Sequence, residues 1–309
     1  MRFLLSFLCL CVLIGCADSE KNLIPSSADG METSDSEAPN RTLPKGFKKY
    51  WFNGEAELTS FTLSQERYGE IRNGHAVQIF VTEDFLPEAQ VKANQASEET
   101  VSVLKLNNTK KFVTGIYPYS IMTSSFAPIE REIHPLKIST SVQEWCGQVY
   151  MQLNNRDSYE VVSHSYFEGE ADQSMTLEKT WLEDEIWSRI RMNPEELPTG
   201  DLSVIPSFEA LRMRHKDIKA YEAYANIKQG DSMSTYSLDF PMLERQLTIW
   251  FQTSFPHYIE KWEETNGTNP SDTLRLKTTA TKLQRIRLPY WRHNTVSDTI
   301  WRDSLGIKY

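Results

Sequence analysis

Apolar and polar residues alternate with a period of two along much of the chain after residue 50. In Gln148–Asn154, Val149, Met151 and Leu153 fall on one side while Tyr150 and Gln152 fall on the other, the pattern of a half-buried strand. Tyr159–Phe167 repeats it, and the polar loop Asn155–Ser158 between the two runs predicts a hairpin. Ala220–Ile227 and Met233–Leu238 form a second pair across Lys228-Gln-Gly-Asp231. The sharpest turn signal is Asn73-Gly74, set between ERYGEIR and HAVQIFVTE, where both residues tolerate positive φ and a type I′ hairpin turn is predicted. Further strands are expected at 55–63, 100–107, 136–144, 246–253, 257–264 and 273–288.

One segment carries the helical period instead. Between Leu177 and Met192, apolar residues at 182, 186 and 190 form a stripe flanked by Trp187 and by Leu177–Trp181, and Asn193-Pro194 stops it. Such a helix is expected to pack on, or plug, one end of a sheet. So many strands rarely remain flat, so the pattern predicts a mainly β fold. The expected form is a large twisted antiparallel sheet curled into an open barrel or clam with one amphipathic helix, residues 47–309 making a single β-rich domain.

The first residues follow neither period. Arg2 precedes an apolar run from Phe3 to Gly15, too short to span ~30 Å of hydrocarbon and matching the core of a secretory signal over residues 1–15. Leu13-Ile14-Gly15-Cys16 resembles the bacterial lipobox, which implies that Cys16 is acylated and becomes the first mature residue. An ordinary signal peptide would end on a small-x-small site, and Leu13 occupies the position of a small residue. Residues 16–46 then read as the lipidated Cys and a tether rich in Ser, Asp, Glu, Pro and Asn, reaching roughly 30 Å as a flexible coil. Asp18-Ser19-Glu20 is similar to acidic signals that send lipoproteins to the cell surface in Bacteroidetes. The expected address is the outer membrane, on its periplasmic face or at the cell surface.

Charge and cysteine usage narrow the classes. Removing residues 1–15, whose only charge is Arg2, takes the formal net charge from −9 to −10, which opposes nucleic acid or anionic lipid as a partner. Of four cysteines, at 9, 11, 16 and 146, only Cys146 remains free after processing, so the body must fold on its apolar core without a disulfide.

Several residues are candidates for chemistry. Cys146, with His134 or His164 as base, would serve as a nucleophile, against the reading of an inert buried thiol. Glu168/Glu170 and Glu183/Asp184/Glu185 would suit acid–base work on a sugar, against the commoner reading of solvated acidic faces. The six histidines form no metal motif, and neither a phosphate loop nor a GxSxG elbow is present, so no catalytic residue, metal or cofactor is expected. Tyr117, Tyr119, Trp145, Tyr150, Tyr166, Tyr290 and Trp291 fall at predicted strand ends, joined by Arg287, Arg292 and His293. They are expected to line the mouth of a concave sheet and stack on a small apolar or saccharide ligand, against the competing reading of core packing. Ser232, Thr273, Thr299 and Ser304 sit in triplets resembling the Asp-Ser/Thr-apolar acceptor of O-glycosylated exported proteins in Bacteroidetes.

The segments YWFNGEAELTSFTLSQERYGEIRNGHAVQIFVTEDF, GIYPYSIMTSSF, SVQEWCGQVYMQLNN and YEVVSHSYFEGE resemble an uncharacterised envelope lipoprotein family of Bacteroidetes. Some members carry the label septum formation inhibitor Maf, yet this chain lacks the N-terminal Ser-x-Ser-x-Arg-Arg pattern of the cytoplasmic Maf pyrophosphatases. QLTIWFQTSFPHYIEKWEE is similar to periplasmic β-clam domains of unknown function, which implies fold alone. Taken with the residues, the resemblance implies a membrane-anchored, non-enzymatic module that binds a ligand or another envelope protein. The rival is a carbohydrate- or ester-active hydrolase at the envelope.

Overall fold

The structure, a computed structural model, describes residues 38–266 and 276–307. A short helix, α1 (Phe47–Trp51), precedes the strands β1 (Ala56–Arg67), β2 (Glu70–Leu86), β3 (Val91–Lys92), β4 (Val101–Thr114), β5 (Tyr117–Pro128), β6 (Lys137–Glu144), β7 (Gly147–Asn155), β8 (Tyr159–Ser165) and β9 (Gln173–Leu177). The pair β10 (Trp181–Leu182) leads directly into α2 (Glu183–Met192). The second arm comprises β11 (Gly200–Ile205), α3 (Phe208–Met213), β12 (Tyr221–Lys228), β13 (Met233–Phe240), β14 (Arg245–Gln252), β15 (Ile259–Asn266) and β16 (Lys277–Leu288). The helix α4 (Ile300–Ser304) follows.

All sixteen strands belong to one sheet. Each long strand pairs with its neighbours in sequence, and β16 returns to lie beside β1, so the two arms are stitched together along the first and last strands. The pairings are antiparallel except for β10–β11. β9 and β10 are left as the two edges, separated in the chain by residues 178–180 alone, so the sheet curls most of the way round without closing. What it curls around is α2: all ten of its residues are buried. The main core collects Phe61, Leu104, Ile138 and Leu153 from one arm, Ile186 and Ile190 from α2, and Leu238, Ile249 and Trp262 from the other. This is the mainly β, curled architecture that the alternation predicts.

Both expected hairpins form, with β7 paired to β8 and β12 to β13. The Asn73-Gly74 turn does not. The chain reverses at Tyr68-Gly69, where φ is 56° and 73°, and Asn73-Gly74 lies inside β2 with Gly74 opposite Leu63 on one side and Phe112 on the other. A Cβ at Gly74 would stand 2.2 Å from the Lys111 carbonyl oxygen, so this glycine serves close strand approach rather than a turn.

The helix expected from Leu177 begins only at Glu183, because Leu177 ends β9 and Trp181-Leu182 pairs with β11. Its start is held by the Glu185 carboxylate, which accepts the Leu182 N–H at 2.9 Å. The short helices α1, α3 and α4 were not expected. Nor was β5, whose stretch Thr123-Ser124-Ser125 is buried yet polar and so hides the alternation; Thr123 bonds Thr140 at 2.9 Å and Ser124 donates to Asn107 at 2.7 Å. Residues 39–46, read above as the end of the tether, are already packed: the Arg41 N–H donates to the Glu130 carbonyl at 2.8 Å and Leu43 lies against the core.

Candidate functional site

The acidic run at the start of α2 is the largest departure from expectation. Glu183, Asp184 and Glu185 are 2, 8 and 1 % exposed, not a solvated face. The two glutamates are tolerated because cations meet them, one from a surrounding strand and one from the helix itself. The Arg245 guanidinium forks onto Glu183 at 2.6 and 2.7 Å and also donates to Glu264 at 3.0 Å. Lys110 donates to Glu209 at 2.8 Å and to Glu264 at 3.4 Å. Glu185 accepts from Arg189 at 2.7 Å and pairs with His134 at 2.8 Å. At the other end of the helix Arg191 forks onto Glu57 at 2.6 and 2.7 Å and donates to the Pro256 carbonyl at 2.9 Å. Its guanidinium carbon lies 5.0 Å from the ring centre of Trp51 and 4.8 Å from that of Phe80.

The electrostatics follow from these pairings. Burial opposes ionisation of Glu185, but Arg189 and His134 outweigh it and bring its pKa down to about 2. Glu264 is likewise brought to about 2, its burial overcome by Arg245 and Lys110. Asp184 has no such partner: burial, reinforced by the adjacent Glu183, pushes it up to about 8, so it is a neutral acid at pH 7. Carboxylates held by forked cations are poor general bases, so the network serves as scaffold for what lies at its ends.

At one end the chain's entry segment closes a cavity of about 430 Å³. The Glu132 N–H donates to the Pro39 carbonyl, and Arg41, buried, bonds Glu196 and the Arg131 carbonyl. Leu43, Pro44, Pro194, Ile227, Phe251 and Phe255 form the apolar walls. Among the polar lining groups, Ser234 bonds Thr253 at 2.8 Å, Thr253 donates to the Gly230 carbonyl at 2.8 Å, and Asn193 donates to the Thr42 carbonyl at 3.3 Å. His257 faces the Gln252 carbonyl through Nδ1 at 3.3 Å, and burial lowers its pKa, so its imidazole is neutral at pH 7. Among the described lining residues, Glu195 is then the one formal charge. Apolar walls with a few hydroxyl, amide and imidazole groups suit a small uncharged amphipathic molecule.

The aromatic residues expected to share one mouth are dispersed over three places, and none of them lines this cavity. Tyr117, Tyr119, Trp145 and Tyr166 gather at the opposite pole, where Tyr117 and Trp145 rings lie 6.4 Å apart and buried Tyr119 stacks on Phe112 at 4.8 Å. Tyr150 lies along β7, its hydroxyl donating to Gln152 at 2.7 Å. Tyr290 and Trp291 pair at 5.5 Å, Tyr290 packing on the separate core of Leu58, Val77, Leu288 and Leu305, while His293 bonds Asp298 at 3.1 Å. The cavity residues Ile227, Phe251, Phe255 and His257 were missed. The available signal was Thr-Ser-Phe-Pro-His at 253–257, a break in β periodicity between two aromatic strands.

Cys146 is exposed rather than buried, and a hydrogen bond to Glu144, then slight burial and the same carboxylate's charge, pushes its thiol up, the reverse of activation. The proposed bases are engaged elsewhere, His134 with Glu185 and His164 with Asp172 at 3.2 Å. Glu168 is exposed, whereas Glu170 bonds Ser165 at 2.6 Å and His215 at 2.5 Å. Ser232, Thr299 and Ser304 are exposed; Cys16 and Thr273 lie outside the described residues.

No protein-family model matches this chain. No curated protein matches it. Among solved structures, the chain is similar to the crystal structure of a β-barrel-like protein of domain of unknown function DUF1849 from Brucella abortus. The TM-score is 0.43 and the identity 8 %, over 80 % of this chain and 99 % of that one.

Proposed function

We propose that this chain is an exported lipoprotein, held to the outer membrane through Cys16, whose β-rich body binds a small uncharged ligand, apolar or saccharide, without transforming it. It belongs by this reading to the Bacteroidetes envelope lipoproteins that its segments resemble, with Ser232, Thr273, Thr299 and Ser304 as O-glycan acceptors. The observation that carries the binding reading is the 430 Å³ cavity beside the entry segment, with its apolar walls and its internally hydrogen-bonded polar groups. Against the hydrolase reading stand the unactivated Cys146 thiol and the locked carboxylates of α2. The same body would also serve envelope assembly if the bound molecule is part of another envelope component.

Two measurements test it. Palmitate labelling should mark the wild-type chain and not Cys16→Ser, which should leave the membrane fraction; an unchanged fractionation sinks the anchor. For the cavity, Ile227→Trp fills it from a half-buried wall position. It should abolish binding of the fluorescent apolar probe N-phenyl-1-naphthylamine and co-purification of small molecules seen by mass spectrometry. Trp145→Ala should change neither. Equal binding by Ile227→Trp and wild type would place the ligand elsewhere.

A further inference from the structure

The pole opposite the cavity is built from successive chain reversals: Tyr68-Gly69 after β1, Gly115-Ile116 after β4, Trp145-Cys146 after β6, and residues 166–172 after β8. The registers bring them to one edge of the sheet, since Gly74 faces Phe112, Ser120 faces Gln143 and Val149 faces Ser165. Each reversal projects a large apolar side chain: Tyr68 is 58 % exposed, Ile116 80 %, Trp145 69 % and Tyr166 77 %. These side chains are held in place. The Tyr68 hydroxyl bonds that of Tyr119 at 2.9 Å, Trp145 leans toward Tyr117, and Tyr166 lies over Gly147, where a Cβ would stand 2.9 Å from its ring. A contiguous set of exposed apolar tips marks an interaction surface.

We propose that this rim inserts shallowly into the interfacial layer of a lipid bilayer of low net charge. An aliphatic tip between tyrosine and tryptophan rings matches the boundary of acyl chains and headgroups, where amphipathic aromatic rings settle. The tips stand on four successive reversals along one edge, and a fluid interface accepts such a set whatever its relief, whereas a folded partner would have to match it. Exposed Glu70, Glu168 and Asp172 stand on or beside these turns against Lys111 and Lys216, with Glu70 paired to Arg72 and Asp172 to His164, so the rim carries no cationic excess to draw an acidic chain to an anionic surface. This surface is distinct from the cavity and does not depend on it. Its weight in the cell rests on the Cys16 anchor: the 22 peptide links from Cys16 to Ala38 span at most about 75 Å, more than the roughly 55 Å of the 17-residue β2, so a chain entering at the cavity pole still lets the rim reach the leaflet that holds the lipid. Tethering then raises the effective concentration to about the millimolar range, so that a weak second contact counts.

The test uses the unlipidated chain from Ala17 onward and vesicles of phosphatidylcholine, read by co-sedimentation and by the blue shift of tryptophan fluorescence. Wild type should partition measurably at millimolar lipid. Ile116→Asp should weaken partitioning by about tenfold or more and Trp145→Ala by several-fold, while Val296→Asp, exposed outside the rim, should leave it unchanged. Adding phosphatidylglycerol at low salt should reduce it further. Absence of wild-type partitioning, an Ile116→Asp variant equal to wild type, or stronger binding to the anionic vesicles would each overturn the proposal. Retention on an insoluble polysaccharide that Trp145→Ala loses and Ile116→Asp keeps would likewise overturn it, in favour of a glycan. Because no probe of the cavity is involved, Ile227→Trp should partition as wild type does, so failure of the ligand reading and failure of this one are separable.

Discussion

Helix α2 and the rim of turns invert the usual placement of residues. α2 carries Glu183, Asp184, Glu185, Arg189 and Arg191 into the interior, while Tyr68, Ile116, Trp145 and Tyr166 stand in water at the end of the sheet. The difference lies in partners rather than in hydrophobicity. Glu183 and Arg191 meet opposite charges on surrounding strands and Glu185 pairs with Arg189 within the helix, which makes burial tolerable without making it favourable over an apolar core. Each rim residue sits at a reversal between strands that are already paired, and among the described residues no further layer covers it. Interior charge is therefore conditional on complete pairing, and the exposed aromatics are free to meet something outside the molecule.

The largest effect should come from breaking one interior pair. Arg191→Met leaves the Glu57 carboxylate buried without its forked partner and should cost about 3–5 kcal/mol in denaturant unfolding. Glu57→Gln combined with Arg191→Met should recover part of that loss; a double variant as unstable as the sum of the singles would show that the two do not act as a unit.

Next comes the pH dependence. The Asp184 pKa is raised from 3.8 to about 8, so the native state holds a proton that the unfolded chain releases, and this group lowers stability as pH rises from about 4 to about 8. Asp184→Asn should abolish that slope, gaining a few kcal/mol over wild type at pH 9 and little at pH 4. Glu185 and Glu264 run the other way: lowered from 4.5 to about 2, they contribute stability above pH 4.5 that is lost as pH falls toward 2. Thermal melts of both chains across this range check the two signs together, and a wild-type melting temperature that rises between pH 5 and 8 in parallel with the variant's would remove the Asp184 account.

Smaller effects are expected at the rim. Gly147→Ala should cost about 1 kcal/mol, because its Cβ crowds the Tyr166 ring, and Tyr166→Ser should relieve most of it in the double variant. Trp145→Ala should change stability by no more than about 0.5 kcal/mol in the same unfolding assay. A loss of several kcal/mol there would mean that Trp145 is core, and the contrast between the two regions would fail.

The sheet was legible where one face is apolar and the other polar, as in β7, where Val149, Met151 and Leu153 are buried and Tyr150 and Gln152 are not. It was illegible in the second half of β5, where consecutive Thr123, Ser124 and Ser125 are all buried. Asn73-Gly74 misled because a glycine suited to positive φ is equally suited to a close approach between strands, and the two uses look alike in one dimension. The helix was visible from its 182/186/190 stripe, but the polar residues of the same helix gave no sign that Arg245 and Lys110, brought in by strands far along the chain, would meet them. The cavity was not legible at all, since its walls come from residues 42–44, 193–195, 227–234 and 251–257.

From the sequence alone came what depends on neighbours along the chain: the β period, the helical stripe, and two hairpins, together with the expectation of a lipobox at Cys16. Such features are set by backbone geometry and side-chain spacing within a few residues. Tertiary structure decided which charges are interior, where the sheet stops curling, which aromatics remain in water, and where a cavity opens. Those outcomes depend on contacts between residues tens to hundreds of positions apart, and in one dimension a buried, paired glutamate is indistinguishable from a solvated one.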